Sequence, residues 1–159
     1  MYKSVIRPLL EYATPVWNPI LKKDIAEVES VQRRITKRIR EVRGMAYPDR
    51  LRLLALPTLQ QRRLYFDLTE CYKVLHALDL CDCIRSLHRK TTNTRGHTYQ
   101  LVPPKSTLLI RRQTFTHRVV NAWNALPAEI VTLPTIASFR RALRLHLRLE
   151  PNGSSVNLP

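Results

Sequence analysis

The stretch at residues 58–78, TLQQRRLYFDLTECYKVLHAL, decides the fold of this chain. Thr58 is followed three residues later by Gln61, which is the capping-box pattern that opens a helix. Apolar residues then recur at the spacing of one helix face. They are Leu64, Tyr65, Leu68, Cys71, Tyr72, Leu75 and Leu78. The pattern predicts a long helix that ends near Leu78 and contributes one face to a hydrophobic core.

Helical patterns also lie on both sides of this stretch. Prolines, a glycine and the spacing of apolar residues place the expected helices at 2–14, 21–42, 47–57, 115–127 and 135–149. The first helix should be kinked at Pro8 and stop before Pro15, and the second should stop at Gly44. The β-branched and apolar residues of 98–102 and 106–115 leave room for a short β-hairpin.

The expected fold class is mainly α, arranged in two units. A helical bundle at 1–80 is followed by a linker at 81–97, where the periodicity is lost, and by a small helical C-terminal subdomain at 98–150. Residues 151–159 should form a flexible tail. Six side chains are expected in the core, namely Leu64, Leu68, Tyr72, Leu75, Val119 and Trp123.

The charge balance of this chain is far from ordinary. Its 27 Lys and Arg residues oppose 12 Asp and Glu residues, which leaves a formal net charge of +15. Such an excess indicates a polyanionic partner, most often nucleic acid and less often an acidic membrane surface. The 20 arginines outnumber the 7 lysines, and arginine favours forked contacts with phosphate and stacking on planar groups.

The densest basic run is VESVQRRITKRIREVR at residues 28–43. Its apolar residues fall within one stripe of a helical wheel, so the helix should bury that stripe and leave its cations free. The cations divide into two flanks, Arg33, Lys37 and Arg40 on one side and Arg34 and Arg38 on the other. We therefore expect this helix to lie along a phosphate backbone.

Two further basic clusters extend the expected nucleic-acid surface. One lies in IRRQTFTHR, and the other is a row of arginines four residues apart in the last helix. Their members are Arg111, Arg112 and Arg118 in the first cluster, and Arg140, Arg144 and Arg148 in the second. The alternative for any single run is a solvated charged face. Three such runs with few acids favour contact with nucleic acid.

No motif in the sequence indicates a catalytic centre or a cofactor. The five aspartates are isolated, whereas two-metal phosphoryl transfer needs carboxylates grouped around the metal ions. The phosphate-binding GxxxxGK[ST] and the nucleophile GxSxG patterns are absent, and no histidine stands at a readable spacing from a nucleophile. We therefore expect that this chain alone is not an enzyme and needs no cofactor.

Three cysteines and one histidine, Cys71, Cys81, Cys83 and His88, come nearest to a metal site. Structural zinc usually has paired Cys-x₂₋₄-Cys spacings, and Cys71 fits the core face of its helix, so packing is the favoured explanation. No apolar run is long enough to span a membrane, and the N-terminus lacks a secretory pattern. An intracellular protein of the nucleus or cytoplasm is expected.

Several strings, taken in order, resemble the segment after the catalytic palm in non-LTR (LINE-type) retrotransposon reverse transcriptases, in particular the jockey-like group. The most specific are RPLLEYA at 7–13, VESVQRRITKRI at 28–39, LPTLQQRRL at 56–64 and VVNAWNALP at 119–127. The resemblance covers about residues 2–149. It departs from the family at Ala55, where relatives often carry glycine, and in lacking the two adjacent aspartates of the palm.

This resemblance implies a thumb-like helical bundle followed by a small C-terminal helical subdomain. In the family the thumb holds the template and primer, so RNA or an RNA/DNA duplex and a polymerase palm are the implied partners. The implied function is nucleic-acid binding by a fragment of an RNA-directed DNA polymerase that lacks its own catalytic centre. Two alternatives stay open: a domesticated or degenerate remnant that acts as a protein-interaction module, and a fragment that is active only when joined to its palm.

Overall fold

A computed structural model describes residues 2–76, 87–91 and 97–149 of the chain. The described part is mainly helical, as the sequence predicts. A π-helical turn, Tyr2–Ile6, leads into α1 (Arg7–Glu11), and a 3-10 turn, Arg40–Val42, follows α3. The helices are α1, α2 (Thr14–Trp17), α3 (Lys22–Lys37), α4 (Tyr47–Leu53), α5 (Leu59–Leu75), α6 (Leu109–Arg112), α7 (Phe115–Asn124), α8 (Ala128–Val131) and α9 (Ile136–His146).

Helix α5 is the central element, because α1, α2, α3, α7 and α9 all pack against it. It begins with the predicted capping box: the Gln61 backbone N–H donates to Thr58 Oγ1 over 3.1 Å, and the Thr58 N–H donates to Gln61 Oε1 over 3.1 Å. These two bonds satisfy backbone donors that a helix start otherwise leaves without partners. The helix ends at Leu75, and the predicted end at Leu78 lies outside the described residues.

The hydrophobic core joins α5 to the C-terminal helices. Of the six predicted core residues, Leu68, Tyr72, Val119 and Trp123 are buried, whereas Leu64 and Leu75 are half-buried and pack against the core. The Tyr72 ring stacks on that of Phe139, with 4.3 Å between centroids. Aromatic contacts of this kind add stability beyond the area they bury. The core therefore draws on both sides of the predicted 81–97 linker, of which residues 81–86 and 92–96 lie outside the described part, as does the predicted tail.

Helix α3 buries a different face from the one that its apolar stripe predicts. Its buried residues are Glu29, Gln32 and Thr36, while Val28, Val31 and Ile35 are only half-buried. The reason is polar: Glu29 accepts a 3.0 Å hydrogen bond from the Leu59 N–H at the start of α5, and Gln32 donates over 3.1 Å to Pro57 O. A carboxylate at a helix N-terminus is favoured by the helix dipole. These contacts turn the polar flank of α3 inward.

Helix α3 also ends at Lys37, earlier than the predicted end before Gly44. Ile39 has extended backbone angles, φ −74° and ψ 121°, and the 3-10 turn that follows buries Val42 to 1% exposure. Burial of Val42 in the core favours the bend, because a straight helix would not bring this side chain to the same place.

The N-terminal segment forms two short helices, α1 and α2. Helix α1 ends at Glu11, Ala13 adopts a left-handed φ of 49°, and α2 then begins at Thr14 with Pro15 in its first turn. The first helix therefore stops before Pro15, as predicted, and a second short helix contains the proline. Proline is tolerated in the first turn of a helix, because the N–H that it lacks has no intrahelical partner there.

The predicted β-hairpin between 98–102 and 106–115 is also wrong. Within the described ranges, 109–112 is helix α6, and 99–102 instead meets 88–90 at one isolated antiparallel bridge between Arg89 and Leu101. The side chain of Asn124 fixes this segment, because its amide accepts from the Leu101 N–H over 2.8 Å and donates to Leu101 O over 2.9 Å. A side chain from α7 thus occupies the place of a partner strand.

At the end of α4, Ala55 occupies a backbone position that favours glycine. Leu56 N donates to Leu51 O over 2.9 Å and Ala55 N donates to Arg52 O over 3.2 Å, which is the Schellman pattern of a helix C-terminus. Ala55 occupies the left-handed position of this motif, with φ 49°. Glycine is preferred at this position because a Cβ there is strained.

We predict that Ala55→Gly stabilises the chain by about 1 kcal/mol, because relief of left-handed strain exceeds the added flexibility of the unfolded chain. Urea denaturation followed by circular dichroism measures the free energy of unfolding. The matched control is Ala26→Gly at an exposed position inside α3, which should destabilise the chain by about 1 kcal/mol. Equal destabilisation by both variants would contradict the strain at Ala55.

Candidate nucleic-acid interface

Four cations surround one open cavity of about 390 Å³ at the end of α3. Arg34 and Lys37 lie on its last turn, Arg38 is its C-terminal cap, and Arg43 follows the 3-10 turn. The extended backbone at Ile39 reverses the chain, and this reversal places Arg43 beside the other three cations. We call Arg34, Lys37, Arg38 and Arg43 the basic cluster. Arg43 ends the predicted basic run, although it is not one of the individual contact residues that the sequence predicts.

The basic cluster is exposed and has no described acidic partner. In the part of the chain that the structure describes, none of its four side chains forms an ion pair with a carboxylate. Its one side-chain hydrogen bond there runs from Arg34 Nη2 to Ser30 Oγ over 3.3 Å. Cations at a helix C-terminus are stabilised by the helix dipole. The arrangement therefore concentrates positive charge without neutralising it.

Arg33 and Arg40, the other predicted contacts of this run, do not line the cavity. The Arg33 guanidinium lies over the Tyr47 ring, 4.9 Å from its centroid. The Tyr47 hydroxyl donates a hydrogen bond to Glu29. The pKa of Tyr47 is raised, mainly because the hydroxyl is buried and also because of this hydrogen bond. Arg40 is exposed in the 3-10 turn. The structure thus groups Lys37 with Arg34 and Arg38, which a straight helical wheel places on another flank.

Arg118 is a correction to the predicted site. Its side chain is 8% exposed and forms a two-contact ion pair with Asp67, in which Nε lies 2.9 Å from Oδ2 and Nη2 lies 3.0 Å from Oδ1. The same guanidinium donates to the backbone carbonyls of Thr14, Pro15 and Gln113. Arg118 is therefore a buried structural residue and has no free donor face for a phosphate.

The three arginines of the predicted row in the last helix do not lie on one surface. Arg140 and Arg144 lie on α9 and line a second cavity of about 470 Å³. Arg148 lies beyond the helix end in a left-handed conformation, φ 52°, and lines a different cavity. Arg7 and Arg62 complete the second cavity, and sequence analysis missed both because they come from α1 and α5. We call Arg7, Arg62, Arg140 and Arg144 the arginine cavity.

The remaining predicted contacts, Arg111 and Arg112, are exposed on the short helix α6. The Arg112 Nε donates to Ser106 O over 3.3 Å. Neither side chain lines the basic cluster or the arginine cavity. Their predicted contact with nucleic acid stays a prediction.

The described residues hold neither a metal-binding group nor a membrane-spanning helix. Across 2–76, 87–91 and 97–149, no group of three His, Cys, Asp or Glu side chains is placed to hold a metal ion. Cys71 lies in the core, where burial raises the pKa of its thiol, while Cys81 and Cys83 lie outside the described residues. None of the described helices is long and apolar enough to cross a membrane.

We predict that Arg118→Gln destabilises the chain by about 3 to 5 kcal/mol, because it leaves the Asp67 carboxylate buried without its partner. Chemical denaturation measures this loss. The control is Arg141→Gln, an exposed arginine of α9, which should change stability by less than about 0.5 kcal/mol. The pair Asp67→Asn and Arg118→Gln together should recover part of the loss. A soluble, fully stable Arg118→Gln variant would contradict the buried pair.

No protein-family model, no curated protein and no solved structure matches the chain. The function is therefore inferred from the charge, exposure and packing of the described residues.

Proposed function

We propose that this chain binds nucleic acid through the phosphate backbone, with the basic cluster as the principal contact. The observation that carries the proposal is the convergence of Arg34, Lys37, Arg38 and Arg43 on one open cavity without a described carboxylate partner. Lys and Arg side chains that neutralise phosphates release condensed counterions, which is the main source of sequence-independent affinity. The formal charge of +15 supports the same partner through long-range attraction.

We further propose that the chain acts as the template-gripping part of a reverse transcriptase of the non-LTR type and has no catalytic centre of its own. The sequence resemblance from RPLLEYA to VVNAWNALP motivates this assignment. A mainly helical fold with a basic helix end suits a segment that holds RNA or an RNA/DNA duplex beside a polymerase palm. Such a segment reads the shape and charge of the backbone and needs no base contacts.

A second candidate function is that of a protein-interaction module. The observation in its favour is the exposed apolar surface near the N-terminus, where Leu9, Tyr12 and Val16 are 73%, 79% and 82% exposed. Exposed apolar surface of this kind often marks a site of protein contact. This candidate predicts weak dependence on salt and tolerance of arginine substitutions, because apolar side chains would carry the affinity.

The deciding experiment is fluorescence-anisotropy binding of a labelled RNA/DNA duplex and a labelled single-stranded RNA across a salt series. The test variant is Arg34→Gln with Lys37→Gln, and the control is Lys22→Gln with Lys23→Gln, which removes the same charge from the exposed start of the same helix. We expect log affinity to fall linearly with log salt in the unchanged chain. The test variant should reduce that slope by about 1.4 to 1.8, because each lost phosphate contact removes about 0.7 to 0.9.

Each outcome of this experiment has a definite meaning. The control variant should alter the slope much less, because Lys22 and Lys23 lie at the opposite end of α3 from the basic cluster. Equal effects of the two variants would show attraction by net charge alone and contradict a localised contact. Absence of binding by a chain with a normal helical spectrum would overturn nucleic-acid binding and favour the protein-interaction module.

A further inference from the structure

The arginine cavity lies where α1, α5 and α9 meet. Arg7 comes from α1, Arg62 from α5, and Arg140 and Arg144 from α9, and together they line a space of about 470 Å³. Cavities of roughly 300 to 1,000 Å³ are typical of small-ligand sites. Three segments that are far apart in the sequence thus bring four guanidinium groups to one place.

The charge in this cavity is only partly neutralised. Glu11 pairs with Arg62 through two contacts, one of them 2.8 Å from Nη2 to Oε2, and lies 3.8 Å from Arg7 Nε. No carboxylate in the described ranges pairs with Arg140 or Arg144. Arg7 Nε makes no hydrogen bond among the described residues, but it is buried beside Glu11, so the unpaired cations of the cavity are Arg140 and Arg144. Guanidinium donors left free in a cavity favour an anion with several oxygens, as in a phosphate group.

Aromatic rings form part of the same wall. The Arg62 guanidinium carbon lies 5.4 Å from the centroid of Phe66, and that of Arg144 lies 5.6 Å from the centroid of Tyr65. The two rings meet edge to face, 5.6 Å apart. Aromatic rings and guanidinium planes are the surfaces on which nucleic-acid bases stack. The cavity therefore combines donors for a phosphate with flat surfaces for a base.

We infer that the arginine cavity binds one nucleotide unit, with its phosphate held by Arg140 and Arg144 and its base against the wall formed by Phe66 and Arg62. The unit comes either from a free nucleotide or from one residue of a nucleic-acid strand, since both present the same phosphate ester and base. The site is separate from the basic cluster. It rests on the proposed function only if the nucleotide unit belongs to a nucleic-acid strand.

Isothermal titration of the full chain with adenosine monophosphate, inorganic phosphate and adenosine tests this site. We expect adenosine monophosphate to bind more tightly than either half alone. Arg144→Gln should weaken it at least about tenfold, because a charge-assisted hydrogen bond is lost. Arg141→Gln removes the same charge from an exposed position on the same helix and should change the affinity less than about twofold.

A second variant separates the contribution of the base to the affinity from that of the phosphate. Phe66→Leu removes the aromatic ring and keeps an apolar side chain of moderate size. It should therefore weaken the binding of adenosine monophosphate by about fivefold or more. It should leave inorganic phosphate unchanged, because the arginines are still present. Circular dichroism of each variant confirms that the helices are intact.

The source of the nucleotide follows from the same variants. Binding of adenosine monophosphate that depends on Arg144 supports a free nucleotide, whereas an effect of Arg144→Gln only on a labelled oligonucleotide supports a unit of a strand. Equal effects of Arg144→Gln and Arg141→Gln on every ligand would overturn the site. That failure is distinguishable from failure of the proposed function, which is read from Arg34→Gln with Lys37→Gln on the duplex.

Discussion

The buried ion pair between Asp67 and Arg118 is the contact on which the rest of this structure depends. It joins α5 to α7, and the Arg118 guanidinium also donates to the carbonyl oxygens of Thr14 and Pro15 at the start of α2. Asp67 accepts a further 2.7 Å hydrogen bond from Asn18 Nδ2. A buried charge that loses its partner is strongly unfavourable. The N-terminal segment, the central helix and the C-terminal core are therefore joined by one hydrogen-bonded network.

Three of the nine acidic side chains that the structure describes have internal roles. Glu11 binds Arg62, Glu29 accepts from Tyr47 and from the start of α5, and Asp67 binds Arg118. Burial lowers the pKa of Arg63, which lies within the influence of the same three carboxylates. None of these three acids pairs with the basic cluster, which has no carboxylate partner among the described residues. The same distribution that stabilises the interior therefore leaves the surface available to a polyanion.

Two basic sites of different character result from this distribution. The basic cluster is an open collection of exposed cations at the end of one helix, which suits the continuous charge of a phosphate backbone. The arginine cavity is assembled from three helices and carries aromatic rings beside its cations, which suits a single nucleotide. In a template-gripping segment, the first site would supply affinity and the second would hold one unit of the strand in place.

The sequence by itself determined the helices that carry strong local signals. The capping box of Thr58 and Gln61, the core face through Leu68 and Tyr72, and the apolar side of α7 follow from local bonds and from the 3.6-residue period. The excess of cations, and hence the class of partner proposed, also came from composition alone. Only the tertiary structure decided which cations are free. It buried Arg118, because Asp67 lies opposite it, and it turned the polar side of α3 inward, because Glu29 meets the start of α5. It also brought Arg7 and Arg62 to the helix of Arg140 and Arg144. The sequence could not show this, because contacts between distant segments leave no periodic pattern.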